Sequence, residues 1–166
     1  MSMNGQYLRV TRDELERAML DPHWALEFAE QLQEEDEDND ADPEDARTLT
    51  THSAWNAIGF ILGRAEFPID IVHGDQPLAD GEDWGNGPPG CLLPERVHAA
   101  AQELHSLSFD KLTAEISPAD LDHADVYPQI WDEPDSLDWV RTWYAPLIPF
   151  FDAAAREDHG IILWID

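Results

Sequence analysis

The sequence predicts a single-domain α+β fold, and three observations predict it. Gln6-Tyr7-Leu8-Arg9-Val10 alternates polar and apolar residues near one end, the pattern of a half-buried strand. Ile161-Ile162-Leu163-Trp164-Ile165, near the other end, is apolar throughout, as a strand covered on both faces must be. Between them, apolar residues recur at helical spacing in five or six segments, without the strand–helix alternation of a doubly wound sheet. The expected architecture is one domain over residues 1–166, with several helices packed on a small sheet that includes both terminal strands.

Each element has its own warrant. Thr11-Arg12-Asp13-Glu14 has capping-box spacing and starts a helix. Asp21-Pro22 restarts one, with Asp as cap and Pro at the first helical position, and Trp24, Phe28 and Leu32 share a face. Thr51 is the expected cap of a helix carrying Trp55, Ile58 and Leu62, with Gly63 as its left-handed stop. Phe67 to His73 is short and β-branched, a candidate edge strand because of Pro68. The stretch from Gly81 to Gly90 holds four Gly and two Pro and reads as an irregular loop.

Leu93-Pro94-Glu95 opens a helix with Val97, Ala101 and Leu104 inward. Ser108 caps a short helix carrying Phe109 and Leu112, and Ser117-Pro118 caps another. Leu137, Val140, Tyr144, Leu147, Phe151 and Ala154 form the longest helical stripe. Pro146 and Pro149 should break it near Ala145, because each removes a backbone donor and crowds the preceding turn. The closing strand should be essential to folding.

From Glu34 to Asp45, nine of twelve residues are acidic, which predicts a solvated acidic insert at about 34–46, read as a loop. Asp36, Asp38 and Asp40 fall at the first, third and fifth ligand positions of a calcium loop. Ala41 and Arg47 stand where that loop needs Gly and Glu, so no calcium site is expected.

The whole chain is acidic: 36 Asp and Glu against 9 Lys and Arg give a formal net charge of −27. Such a field repels nucleic-acid phosphates and anionic membranes and attracts basic protein faces. Forty-three per cent hydrophobic residues and seven Trp still supply a core. Cys91 is alone, so no internal disulfide can form. With neither a signal-peptide pattern nor an apolar run of roughly 18 residues, a cytoplasmic protein is expected.

Several segments carry a resemblance: Asp83-Trp84-Gly85-Asn86-Gly87-Pro88 leading into Leu92-Leu93-Pro94-Glu95, then Ala124-Asp125-Val126-Tyr127-Pro128-Gln129-Ile130-Trp131, and the closing Ile162-Leu163-Trp164-Ile165. With Met3-Asn4-Gly5 before the first strand, their order and spacing resemble the YfbM-like family of bacterial domains, itself of uncharacterised function. The resemblance implies a one-piece α+β domain and brings no reaction, cofactor or catalytic residue. The chain departs from the family pattern at Trp55-Asn56-Ala57-Ile58-Gly59, where Trp-His-x-Leu-His is expected, and in its longer acidic insert.

Candidate chemistry is sparse. His123, Asp125, Tyr127 and Trp131 form the densest polar and aromatic cluster, able in principle to transfer protons, although a turn with packed aromatics explains the same residues. Trp84 and Asn86 lie in the glycine-rich loop, where Trp84 is either a binding platform or a core residue. Neither a P-loop nor a dinucleotide fingerprint is present, and no cofactor is expected. Cys91 with His98 does not make a convincing thiol nucleophile in so negative a chain. His73-Gly74-Asp75 and His123-Ala124-Asp125 lack zinc-site spacing, so no metal is expected.

The first functional expectation is a protein-binding module, inhibitory or immunity-type, that docks a basic partner. The alternative is an enzyme or small-molecule binder with a site formed by loop 81–91 and segment 123–132.

Overall fold

The two ends of the chain pair with each other at the centre of the sheet. In the computed structural model, which describes residues 2–79 and 82–166, β1 (Gly5–Val10) runs antiparallel to β5 (Gly160–Ile165) from Gly5 opposite Ile165 to Val10 opposite Gly160. β2 (Thr48–His52) adds to the outer side of β1, and β4 (Gly90–Leu92) and β3 (Gln76–Pro77) add beyond β5. The result is a five-stranded antiparallel sheet of order β2-β1-β5-β4-β3, and the class is α+β.

The pleat sends alternate residues of the central strands into two cores. Tyr7, Ile161, Leu163 and Ile165 face the larger, built by α3 (Trp55–Arg64), α4 (Pro94–Ser106), α5 (Phe109–Thr113), α6 (Pro118–His123), α7 (Ser136–Tyr144) and α8 (Leu147–Arg156). Leu8, Val10, Ile162 and Trp164 face the smaller, covered by α1 (Arg12–Leu20), α2 (Pro22–Asn39) and Trp84. β5 is therefore buried on both faces, as its unbroken apolar run requires.

The helix starts follow their caps. Thr11 and Glu14 form the reciprocal capping box of α1, Asp21 accepts from the Trp24 N–H at the head of α2, and Ser108 and Ser117 serve α5 and α6. Pro146 separates α7 from α8, while Pro149 sits in the first turn of α8, where a missing N–H costs nothing.

Five expectations are corrected. The acidic run is not a loop as far as Asn39 but the last turns of α2. Ala25, Ala29 and Leu32 anchor that helix, and Glu sustains helix without burying anything. The buried stripe also lies one position beyond Trp24 and Phe28, whose rings stack at 4.8 Å on the flank. Thr51 lies in β2 rather than capping α3, which begins after Ala54 without a side-chain cap. Phe67 to His73 is not a strand: Asp70 Oδ1 accepts from the Val72 and His73 N–H groups and folds the segment into turns.

Gly63, finally, is not the left-handed stop of α3. That role falls to Glu66, one of four acidic residues among those described, with Asp40, Asp125 and Asp158, at φ of 57, 48, 53 and 55° respectively. In each case the next residue's N–H reaches back five residues: Ala41 to Asp36, Phe67 to Leu62, Val126 to Leu121 and His159 to Ala154. α2, α3, α6 and α8 thus end in Schellman motifs with an acid at the position glycine usually fills.

Candidate functional site

The residues singled out in the sequence do not gather in one cleft. Trp84 is 5% exposed and meets Trp164 edge-on at 5.2 Å in the smaller core. The loop around it is a fastening: Asp83 Oδ1 accepts from the Gly85 and Gly87 N–H groups, and the Asn86 N–H donates to Ile165 O. Gly85, at φ +139°, passes so close to Asp166 that a Cβ would lie 2.6 Å from its Cα, so only glycine fits there. The Asn86 side chain is exposed. Gly81, which opens the predicted loop, lies outside the described residues.

Across the sheet, Trp131 is equally buried, in the larger core, and its Nε1–H donates to Val126 O at 2.8 Å. His123 and Asp125 are exposed, the first in the last turn of α6 and the second its left-handed terminator. Tyr127 differs from these. Its hydroxyl accepts from the Met3 N–H at 2.9 Å, its N–H donates to Asn56 Oδ1 at 2.8 Å, and its ring lies 6.1 Å from that of Trp55. It braces two residues of a cleft the sequence did not disclose.

That cleft, about 330 Å³, opens between α3 and the 67–73 turns. Trp55, Asn56, Gly59 and Gly63 form the helix wall, and Phe67, Asp70 and His73 the opposite one. The spacing 55, 59, 63 is a single helix stripe, and its two glycines leave the wall bare: a Cβ on Gly63 would meet nothing within 4 Å. Asn56 and Gly59, where the family resemblance implies histidines, are both in this wall.

Asp70 and His73 supply the charge. Asp70 Oδ2 lies 3.6 Å from His73 Nδ1 while Oδ1 holds the two backbone N–H groups. The carboxylate beside it raises the His73 pKa above the ordinary imidazole value. Burial alone would raise the Asp70 pKa, but the His73 side chain and the two N–H groups outweigh it and hold the carboxyl below its usual range. Below the turn, the Tyr7 hydroxyl donates to Ile71 O at 2.6 Å and ties this wall to β1.

The other suspected chemistry dissolves into structure. Cys91 is buried in β4, its thiol pushed up to about 11 by desolvation, and His98 turns instead to Asp158 at 3.4 Å. His73 and Asp75 part company, since Asp75 takes both ends of the Arg96 guanidinium fork at 2.6 and 3.1 Å. Among the described residues no group of three or more His, Cys, Asp or Glu is placed to hold a metal ion, and no helix is long and apolar enough to cross a membrane.

Comparison with known proteins bears on family and fold. No curated protein matches the chain. A solved structure, that of the protein of unknown function YfbM from Escherichia coli, is similar over 100% of both chains with a TM-score of 0.65 at 17% identity, a likeness of fold. The family model described as "Domain of unknown function (DUF1877)" matches residues 1–164, and the chain belongs to that family.

Proposed function

We propose that this domain is a protein-binding module of the inhibitory or immunity type that docks a basic partner through its anionic surface. One observation supports the reading above others: seven of the nine Lys and Arg are engaged within the molecule. Arg12 holds Asp158 and Glu95, Arg47 holds Glu14, Arg96 holds Asp75, and Arg141 holds Asp110. Arg9 is buried, donating to Ala46 O. Arg17 and Arg64 lie over the Trp24 and Phe60 rings.

With so few cations free, the net charge of −27 is carried outward by carboxylates. The densest run, Glu34, Glu35, Glu37, Asp38 and Asp40, is exposed on the C-terminal end of α2. A preformed ridge of one sign steers an oppositely charged protein at low entropic cost.

The experiment is capture at low salt on the immobilised domain, followed by reconstitution with the purified captured protein. A stoichiometric complex with a basic protein, weakened when Glu34, Glu35, Glu37 and Asp38 are all changed to Gln or Asn, is the expected result. A captured protein that is acidic, or one whose binding ignores those changes, rejects the reading.

A further inference from the structure

We infer that the cleft between α3 and the 67–73 turns is a receptor for one cationic side chain, a guanidinium or ammonium on an aliphatic stem, carried by an extended basic segment. The inference deepens the docking proposal and rests on it: a diffuse field brings a basic protein near, and a cleft is what fixes its register.

Three features of the cleft select that chemistry. Its fixed charge is the Asp70 carboxylate, and no Lys or Arg lines it. That carboxylate is oriented in advance: Oδ1 is held by two backbone N–H groups, which leaves Oδ2 with His73 beside it. His73 is its present partner at 3.6 Å, a loose ion-pair distance that a better-placed cation can replace.

Trp55 and Phe67 supply the second feature, two aromatic walls of the kind that attract a cation through the ring quadrupole and cover an aliphatic stem. Trp55 is preset, its Nε1–H donating to Met3 O at 2.9 Å and its ring meeting His73 edge-on at 6.1 Å. The third is space. Gly59 and Gly63 strip the helix wall, and a Cβ on Gly63 would stand in open space, which leaves room for an aliphatic stem along that wall. An anionic ligand would meet Asp70 with no cation but His73 to offset it, inside a strongly negative field.

The test uses amide-resolved NMR titration of the intact protein, with N-acetyl-arginine amide and N-acetyl-lysine amide as probes and N-acetyl-citrulline amide as the neutral isostere. The expected result is saturable shifts of the Trp55 indole N–H and of residues 59–73 with one or both cationic probes and none with citrulline. Asp70→Asn, which retains an oxygen for the two N–H groups, should weaken binding at least tenfold, and Gly63→Leu should abolish it by filling the void. Glu37→Gln, remote on α2, should leave it unchanged.

Shifts spread evenly over the acidic surface, equal binding of citrulline, or undiminished binding by an Asp70→Asn protein with a native spectrum would each overturn the inference. The docking proposal fails separately. A partner that binds with the cleft silent removes this inference alone, whereas a cleft that takes arginine amide in a protein without a basic partner removes only the docking proposal.

Discussion

Arg9 Nη1 lies 3.1 Å from His159 Nδ1, with both side chains buried. A guanidinium can only donate, so His159 must accept at Nδ1 and carry its proton on Nε2 as a neutral ring. The contact joins β1 to the residue that precedes β5, beside the pairing of Arg9 with Ile161. Burial first, then the charges of Arg47 and Arg9, lower the His159 pKa, against a smaller opposing pull from Glu14 and Glu157.

A pH dependence follows from that sign. The folded state resists protonation of His159 while the unfolded chain titrates near 6.5, so the stability this ring contributes is intact above about pH 6.5 and is lost as pH falls below it toward the depressed folded value. Urea midpoints at pH 7.5 and 5.5 should fall more for the native protein than for His159→Gln, whose amide oxygen can still accept from Arg9. Parallel midpoints would show that His159 is not held neutral.

The left-handed acids make a second expectation. A non-glycine residue in that conformation costs about 1 kcal/mol, least for Asp and Asn. Glu66→Gly should therefore raise stability by about 1 kcal/mol and Asp125→Gly by less, as read from urea unfolding. Asp158→Gly should gain nothing, since it also loses Arg12. Destabilisation by Glu66→Gly would contradict the geometry at the end of α3.

Asp36, in the same acidic turns of α2, has a structural task. Its Oδ2 accepts from Arg47 N at 3.0 Å, Thr48 N at 2.8 Å and Thr48 Oγ1 at 2.7 Å, stitching the helix end to β2. Asp36→Ala should cost about 2–3 kcal/mol and expose the Arg47 and Thr48 amides to hydrogen exchange, while Asp38→Ala should change neither. Equal effects of the two would remove the distinction.

β5 separates the two cores, and consecutive residues test that. Ile162 and Leu163 are 0 and 1% exposed and face opposite clusters. Each mutation to Ala should cost about 2–5 kcal/mol by denaturant unfolding, where a strand buried on one face would show one large loss and one small one.

The terminal strands, the capped helices and the break before α8 were legible because each rests on local chemistry: periodicity, a cap, or a proline. β2 was not. Thr48-Leu49-Thr50-Thr51-His52 has a single apolar side chain and becomes a strand by pairing with β1, which suits its β-branched threonines but leaves no alternation to read. β4 is too short to stand out between glycines and prolines. Gly63 misled because glycine is the usual left-handed residue, and here acids fill that position.

The cleft was hidden for a related reason. His73 looked paired with Asp75 two residues on, but the turn set by Asp70 brings the earlier carboxylate to the ring and leaves Asp75 to Arg96. Tyr127 was noticed for its neighbours in sequence, while its contacts are with Met3, Asn56 and Trp55, which are distant along the chain. Trp84 and Trp131 drew notice as aromatics and proved to be core, on opposite faces of the sheet.

The central claim is that the anionic surface governs association, and the salt dependence of the association rate with the reconstituted partner tests it most directly. Between about 0.01 and 1 M salt the screening length shrinks from ~30 to ~3 Å. The association rate constant should fall about a hundredfold or more while dissociation changes little. An association rate that stays flat across that range would contradict the claim.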